Sequence, residues 1–314
     1  MRQIPAVALR ASLLPALLLT GACAEAPLEP VTAILSAAVQ AAGPPQSIAF
    51  HSDRGGNRDI YFMSPSGADP VRLTLGPALD YYPDISNNGK WVVYTSRVGT
   101  GPSDIYLVST AGGDPINLTE TTDASEDWAR FSPNGQRIAF HGDADGDTEI
   151  YILDLKSGEL TQVTSNTVAD TWPEWSPDGH RLTFRRGSNV WMTDLRFDET
   201  VQLTDVPARF AQMAAWSPNG QKIAYMSFEE GYCSVFVMNV DGSDPVNLTP
   251  KDPADANNEW CSRAPSWTQS GQIIFMSFRP STGGDTEIFI MNDDGTGLTR
   301  LTSSAGEDGG PTAR

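Results

Sequence analysis

Residues 171–184 read TWPEWSPDGHRLTF: a strand-forming run, the four-residue turn Ser176-Pro177-Asp178-Gly179, and a second apolar run. In a type I turn Ser at the first position bonds the main chain, Pro presets φ at the second, and Gly closes the last without steric cost. One such hairpin decides nothing; this one decides the fold because it recurs. Counterparts end at Gly89, Gly135, Gly220 and Gly271, and each leads into an apolar strand ending in an aromatic residue. Those strands are Val92-Val93-Tyr94, Ile138-Ala139-Phe140, Leu182-Thr183-Phe184, Ile223-Ala224-Tyr225 and Ile273-Ile274-Phe275. Because Asn88, Asn134, Asp178, Asn219 and Ser270 share one turn position, Asp178 serves the turn and not a site.

Two more markers follow in fixed order. The first is Asp59-Ile60-Tyr61, repeated as Asp104-Ile105-Tyr106, Glu149-Ile150-Tyr151, Asn189-Val190-Trp191, Glu287-Ile288-Phe289 and, in deviant form, Ser234-Val235-Phe236. The second is Leu73-Thr74, repeated at 118–119, 163–164 (Val-Thr), 203–204, 248–249 and 301–302. Units of roughly 45 residues with four short strands are the pattern of propeller blades. The spacing predicts an all-β fold: a six-bladed β-propeller of four-stranded antiparallel blades. Ile48-Ala49-Phe50 lacks a strand and turn before it, while Asp308-Gly309-Gly310-Pro311 repeats the spacing of Asp80-Tyr81-Tyr82-Pro83. The C-terminal strand is therefore expected to join the N-terminal blade and close the ring, which would cover an otherwise unpaired edge.

The ordered markers W-S-P-D-G, I-A-F, D-I-Y and L-T resemble the WD40-like repeats of the TolB-type β-propellers, over residues 47–314. Blade six departs from the pattern with Thr268-Gln269-Ser270-Gly271. The resemblance implies a module of the bacterial envelope that binds proteins or peptides; TolB-type propellers bind a peptidoglycan-associated lipoprotein and disordered peptide segments.

Residues 1–22 read as an export signal: Arg2 and Arg10, an apolar run from Ser12 to Leu19, then Thr20-Gly21-Ala22 before Cys23. The end resembles a bacterial lipoprotein signal, with Cys23 the residue acylated; cleavage without lipid at an A-x-A-like site is the alternative. Residues 23–46 read as a tether with a short helix over about 30–42, and 47–314 as the propeller. In an exported chain Cys233 and Cys261 fall in neighbouring loops of one face and are expected to form a disulfide, or else to remain two separate thiols.

A formal net charge of −18 excludes nucleic acid as a partner. Long loops between second and third strands, and between blades, share one face, opposite the tight turns, and binding is expected there. Asp80, Glu126, Asp170 and Asp308, with Tyr82, Trp128 and Trp172, are expected at the channel mouth, forming an acidic, aromatic-rimmed opening for a cation, a basic peptide or a sugar-like ligand. The competing reading has each carboxylate capping backbone N–H groups between blades. Asp143, Asp145 and Asp147 alternate as Ca²⁺ ligands can, or form a solvated acidic hairpin; no other cofactor is expected. Enzymatic readings are weak: no G-x-S-x-G elbow occurs, and His51 and His141 end equivalent strands two blades apart, too far for a shared metal. The expected function is a non-enzymatic, lipid-anchored binding or scaffold module on the periplasmic side of the envelope. A permanent extrinsic subunit of a membrane complex is the second reading, and a carboxylate enzyme at the channel mouth the third.

Overall fold

The structure, a computed structural model, describes residues 2–3, 47–68, 70–206, 210–229, 231–250, 261–278 and 285–314. Apart from Arg2–Gln3 the export signal lies outside these residues, as do Cys23 and the stretch 30–42. Among the described residues all regular secondary structure is β. The strands pair into antiparallel four-stranded units, counted here from the N-terminus. The second unit is typical: Leu79–Ile85, Trp91–Arg97, Ser103–Ser109 and Ile116–Asn117 pair in that order from the inside outward. In the first unit the inner place is taken by Asp308–Ala313, which pairs with Ile48–Ser52 in the register Ile48↔Ala313 and Ser52↔Asp308. The fifth and sixth units merge into one sheet through parallel pairing of Cys233 with Cys261, whose sulfurs form a disulfide.

Among the described residues no sheet closes on itself; the units pack face to face. Inner strand Glu126–Phe131 lies against Trp91–Arg97 of the unit before, Asp170–Trp175 against Arg137–Gly142, and Asp308–Ala313 against Ile273–Phe278. Each hydrophobic cluster between sheets therefore spans two units, as where Val93, Ile105 and Leu107 meet Phe131, Ile138 and Phe140, while a further cluster gathers residues of five. Each such side chain contributes about 1.5–3 kcal/mol by leaving water.

The sequence markers are hydrogen-bonding devices. The Thr hydroxyl of each Leu-Thr pair accepts the N–H of the β-branched residue in the third strand: Ile60 to Thr74 (3.0 Å), Ile105 to Thr119 (3.1 Å), Ile150 to Thr164 (2.9 Å), Val190 to Thr204 (2.9 Å), Val235 to Thr249 (2.9 Å) and Ile288 to Thr302 (2.9 Å). The fourth strands are short, so without this hydroxyl a buried donor would go unpaired, at about 1–3 kcal/mol. The tight turns are equally regular. Ser176 Oγ donates to Asp178 and accepts the N–H of Arg181 at 2.9 Å, and Ser132 does the same with Asn134 and Arg137.

Deleting residues 307–314 removes the innermost strand of the first unit and its packing on the sixth. The expected outcome is loss of the cooperative thermal transition, followed by circular dichroism; an unchanged melting temperature would refute the pairing.

Candidate functional site

Every inner strand carries a register shift at one residue, and that residue adopts a left-handed backbone. The six are Tyr82 (φ 52°), Trp128 (57°), Trp172 (56°), Met213 (55°), Ala264 (50°) and Gly310 (56°). A bulge re-aims its side chain, and here Tyr82, Trp128, Trp172, Met213 and Ala264 gather with Met276 in one cluster. Rings run in sequence across it: Tyr81 to Tyr82 (5.1 Å), Tyr82 to Trp128 (4.6 Å) and Trp128 to Trp172 (6.4 Å). The bulged N–H is accepted by a side chain of the preceding unit, His51 Nδ1 for Tyr82, Thr95 Oγ1 for Trp128, His141 Nδ1 for Trp172 and Met276 Sδ for Gly310. Burial lowers His51 and His141 from 6.5 to about 3, so both are neutral acceptors.

The expected acidic opening is not formed. Asp80, Glu126, Asp170 and Asp308 are buried, and each bonds side chains of its own unit or of the link that leads into it. Asp80 accepts from Ser96 at 2.6 Å and Glu126 from Thr121 at 2.9 Å. Asp170 holds Arg186 through two bonds of 2.8 and 2.6 Å, and Asp308 holds Arg54 at 2.6 Å. Burial raises Asp80, and pushes Glu126 up to about 7. The expected grouping of acids with aromatics therefore holds only for Tyr82, Trp128 and Trp172. Asp143, Asp145 and Asp147 do not converge on a cation either. Asp143 caps the N–H of Ser125 at 2.7 Å and Asp145 takes Gln162 at 2.5 Å. Among the described residues no three His, Cys, Asp or Glu side chains form a metal-binding group.

What occupies the loop-side mouth is aromatic and cationic. The Arg185 guanidinium lies 5.1 Å from the Trp172 ring and 5.8 Å from Phe210, and Phe210 stacks on Phe228 at 5.1 Å. With the rings named above this makes one arc from Tyr81 to Phe228. Tyr81, Tyr82, Trp172, Arg185, Phe210 and Phe228 are all half-buried, the exposure typical of binding hot spots, which favour Trp, Tyr and Arg. Arg58 and Arg263 share Glu307 at 2.7 and 3.5 Å beside Tyr82.

Sequence reasoning missed the opposite mouth. Two residues after the bulges stand Asp84, Arg130 and Glu174, and near them Arg314. Arg130 pairs with Glu174 at 3.0 Å and Arg314 with Asp84 at 3.5 Å. Burial pushes Glu174 up to about 7, against the pull of Arg130. Above them a cavity of about 230 Å³ is walled by Trp175, Trp216, Trp267 and the turn prolines. Charged residues at a central strand's inward positions were the available signal. Their charges pair with one another, so the loop-side arc is the better candidate for a partner.

Residues 124–193 match the family model of the TolB beta propeller domain. The Protein TolB homolog of Chlorobium luteolum is 29% identical over 178 residues, covering 54% of this chain and 37% of that protein. The structure of TolB from Acinetobacter baumannii superposes with a TM-score of 0.70 at 21% identity, over 85% of this chain and 66% of that one. The fold is that of the TolB-type β-propellers. The chain spans about a third of the length of the curated TolB homologues it matches. The same fold also carries an oligogalacturonate lyase from Vibrio parahaemolyticus (TM-score 0.54, 14% identity, 81% of this chain and 74% of that one).

Two predictions follow from the joints of the TolB-type fold. Unfolding frees His51 and His141 to titrate near 6.5, whereas burial holds them near 3. The unfolded state then binds more protons below pH 6.5, and stability falls by about 1.4 kcal/mol per pH unit per histidine as pH drops toward 3. Glu126, Asp127 and Glu174, raised by burial, act in the opposite sense. His141→Asn keeps an acceptor but cannot titrate, so urea denaturation between pH 6 and 4 should show a slope shallower than wild type by about that amount. Asp170→Asn leaves Arg186 without its charge partner and should cost about 3 kcal/mol in urea denaturation. Unchanged stability would return this carboxylate to a binding role.

Proposed function

We propose that this protein is a non-enzymatic, protein- or peptide-binding module of the bacterial envelope that engages its partner at the loop-side channel mouth. The single observation that carries this is the continuous arc Tyr81, Tyr82, Trp128, Trp172, Arg185, Phe210, Phe228, half-buried except for the buried Trp128. The arc offers stacking surface already held in place by the fold, so little side-chain entropy remains to be lost on binding. The likeness to TolB homologues, which are periplasmic protein-binding modules, supports the same reading. The full proposal is six blades closed by the C-terminal strand, acylation at Cys23, and residence on the periplasmic side of a membrane. The partner is an envelope protein or peptide. A permanent subunit of a membrane complex would differ by stoichiometric co-purification in mild detergent that survives high salt.

The test is capture from detergent-solubilised envelopes with wild type, Trp172→Ala/Phe210→Ala, and Asp178→Asn as a control on the opposite face. Alanine is compatible with the left-handed position of Trp172, because Ala264 holds the equivalent place. Loss of two hot-spot rings should weaken binding by about 2 kcal/mol or more, roughly thirtyfold. Equal capture by all three would refute the site.

A further inference from the structure

Two neighbouring arginines on one strand have opposite fates. Arg186 is neutralised by Asp170. Arg185 donates its Nε to the Gly187 carbonyl at 2.6 Å, lies between Trp172 and Phe210, and forms no ion pair among the described residues. Burial lowers its pKa, whereas the bond to Asp170 raises that of Arg186. Arg97 is the second case: its Nε is buried with no hydrogen-bond partner, and it too lacks an ion pair among the described residues. Its charge acts on Tyr81 and Asp127, which places it at the other end of the same arc. Arg58 and Arg263 stand beside Tyr82 and share one carboxylate, Glu307. Asp127, an acid beside Trp128, is already bonded to Thr95 and to the N–H of Trp128, at 2.8 and 2.7 Å. Among the described residues Arg185 and Arg97 thus have no ion pair while Arg58 and Arg263 share one carboxylate, on a protein whose net charge is −18. A partly desolvated guanidinium without a counter-charge is unfavourable until an anion arrives, and its planar fork matches a carboxylate.

Resting on the protein-binding reading, we propose that the loop-side mouth binds an acidic peptide segment, whose carboxylates take Arg185 and Arg97 while its apolar side chains lie on Tyr82, Trp172 and Phe210. A peptide is favoured over an acidic sugar chain because, beyond the tyrosine hydroxyls and tryptophan N–H groups, the arc and its neighbours Met213 and Phe228 offer apolar and aromatic surface for apolar side chains.

The test is fluorescence-anisotropy titration of the full chain in mild detergent, using a short labelled peptide that alternates Glu with Ala and Phe. Its Gln and Lys counterparts are titrated alongside, with oligogalacturonate as competitor. The Glu peptide should bind at least about tenfold more tightly than the other two, and Arg185→Gln and Arg97→Gln should each remove about tenfold, the value of one charge-assisted hydrogen bond. Arg97→Gln breaks no ion pair, so it remains informative if Arg185→Gln lowers the melting temperature. Equal affinity for all three peptides, or loss of affinity in neither variant, overturns the charge assignment and leaves the protein-binding reading intact. Oligogalacturonate displacing the Glu peptide at lower concentration than unlabelled Glu peptide overturns the peptide assignment. Retained envelope capture by Trp172→Ala/Phe210→Ala is the separate result that overturns the reading beneath it.

Discussion

The structure depends on a backbone that each inner strand would avoid if it were alone. A left-handed φ on Tyr, Trp or Met costs on the order of 1–3 kcal/mol, and here it is paid in several units at once. It persists because the bulged N–H finds an acceptor in the preceding unit and the bulged side chain finds the central cluster. The same residue therefore ties neighbouring units and fills the axis. Side-chain size is graded around the centre from Tyr82, Trp128 and Trp172 through Met213 to Ala264 and Gly310. The small end is required: a Cβ at Gly310 would lie 3.0 Å from His51 Nδ1 and 3.2 Å from the Tyr82 ring.

This constraint also explains what could be read from the chain and what could not. Leu-Thr, Asp-Ile-Tyr and Ser-Pro-Asp-Gly were legible because each is a short-range hydrogen-bonding device repeated at fixed spacing. The bulge has no such signature. Tyr82-Pro83 and Trp172-Pro173 look like extended dipeptides, and Trp128-Ala129 carries no mark at all. In a regular strand, residues two apart share a face, so Asp80 with Tyr82, Glu126 with Trp128 and Asp170 with Trp172 read as pairs at one mouth. The left-handed residue breaks that alternation. The aromatic turns to the central cluster while the acid stays buried among the side chains of its own unit and the link before it.

Buried carboxylates show a second economy. In most units one fastens the inner strand to a side chain of its own unit or of the link before it, as Asp308 with Arg54, Asp80 with Ser96, Glu126 with Thr121 and Asp170 with Arg186. The equivalent positions in the fifth and sixth units are Ala211 and Ser262. These are also the two units that the disulfide Cys233–Cys261 ties together, with Ser262 bonded to the Ser277 hydroxyl.

Consuming the acids in pairs within the units decides the sign of the mouth. Asp308, Asp170, Asp59 and Glu287 each take one arginine into a buried or half-buried pair. Arginines that meet no such acid are left where the strands end on the loop side, among rings whose faces are themselves favourable for a cation. Net charge describes the field far from the surface, but a concave site is governed by the few groups within a Debye length of about 10 Å. An acidic chain can therefore present a cationic opening, because its carboxylates are spent on architecture and its unpaired guanidinium groups are not.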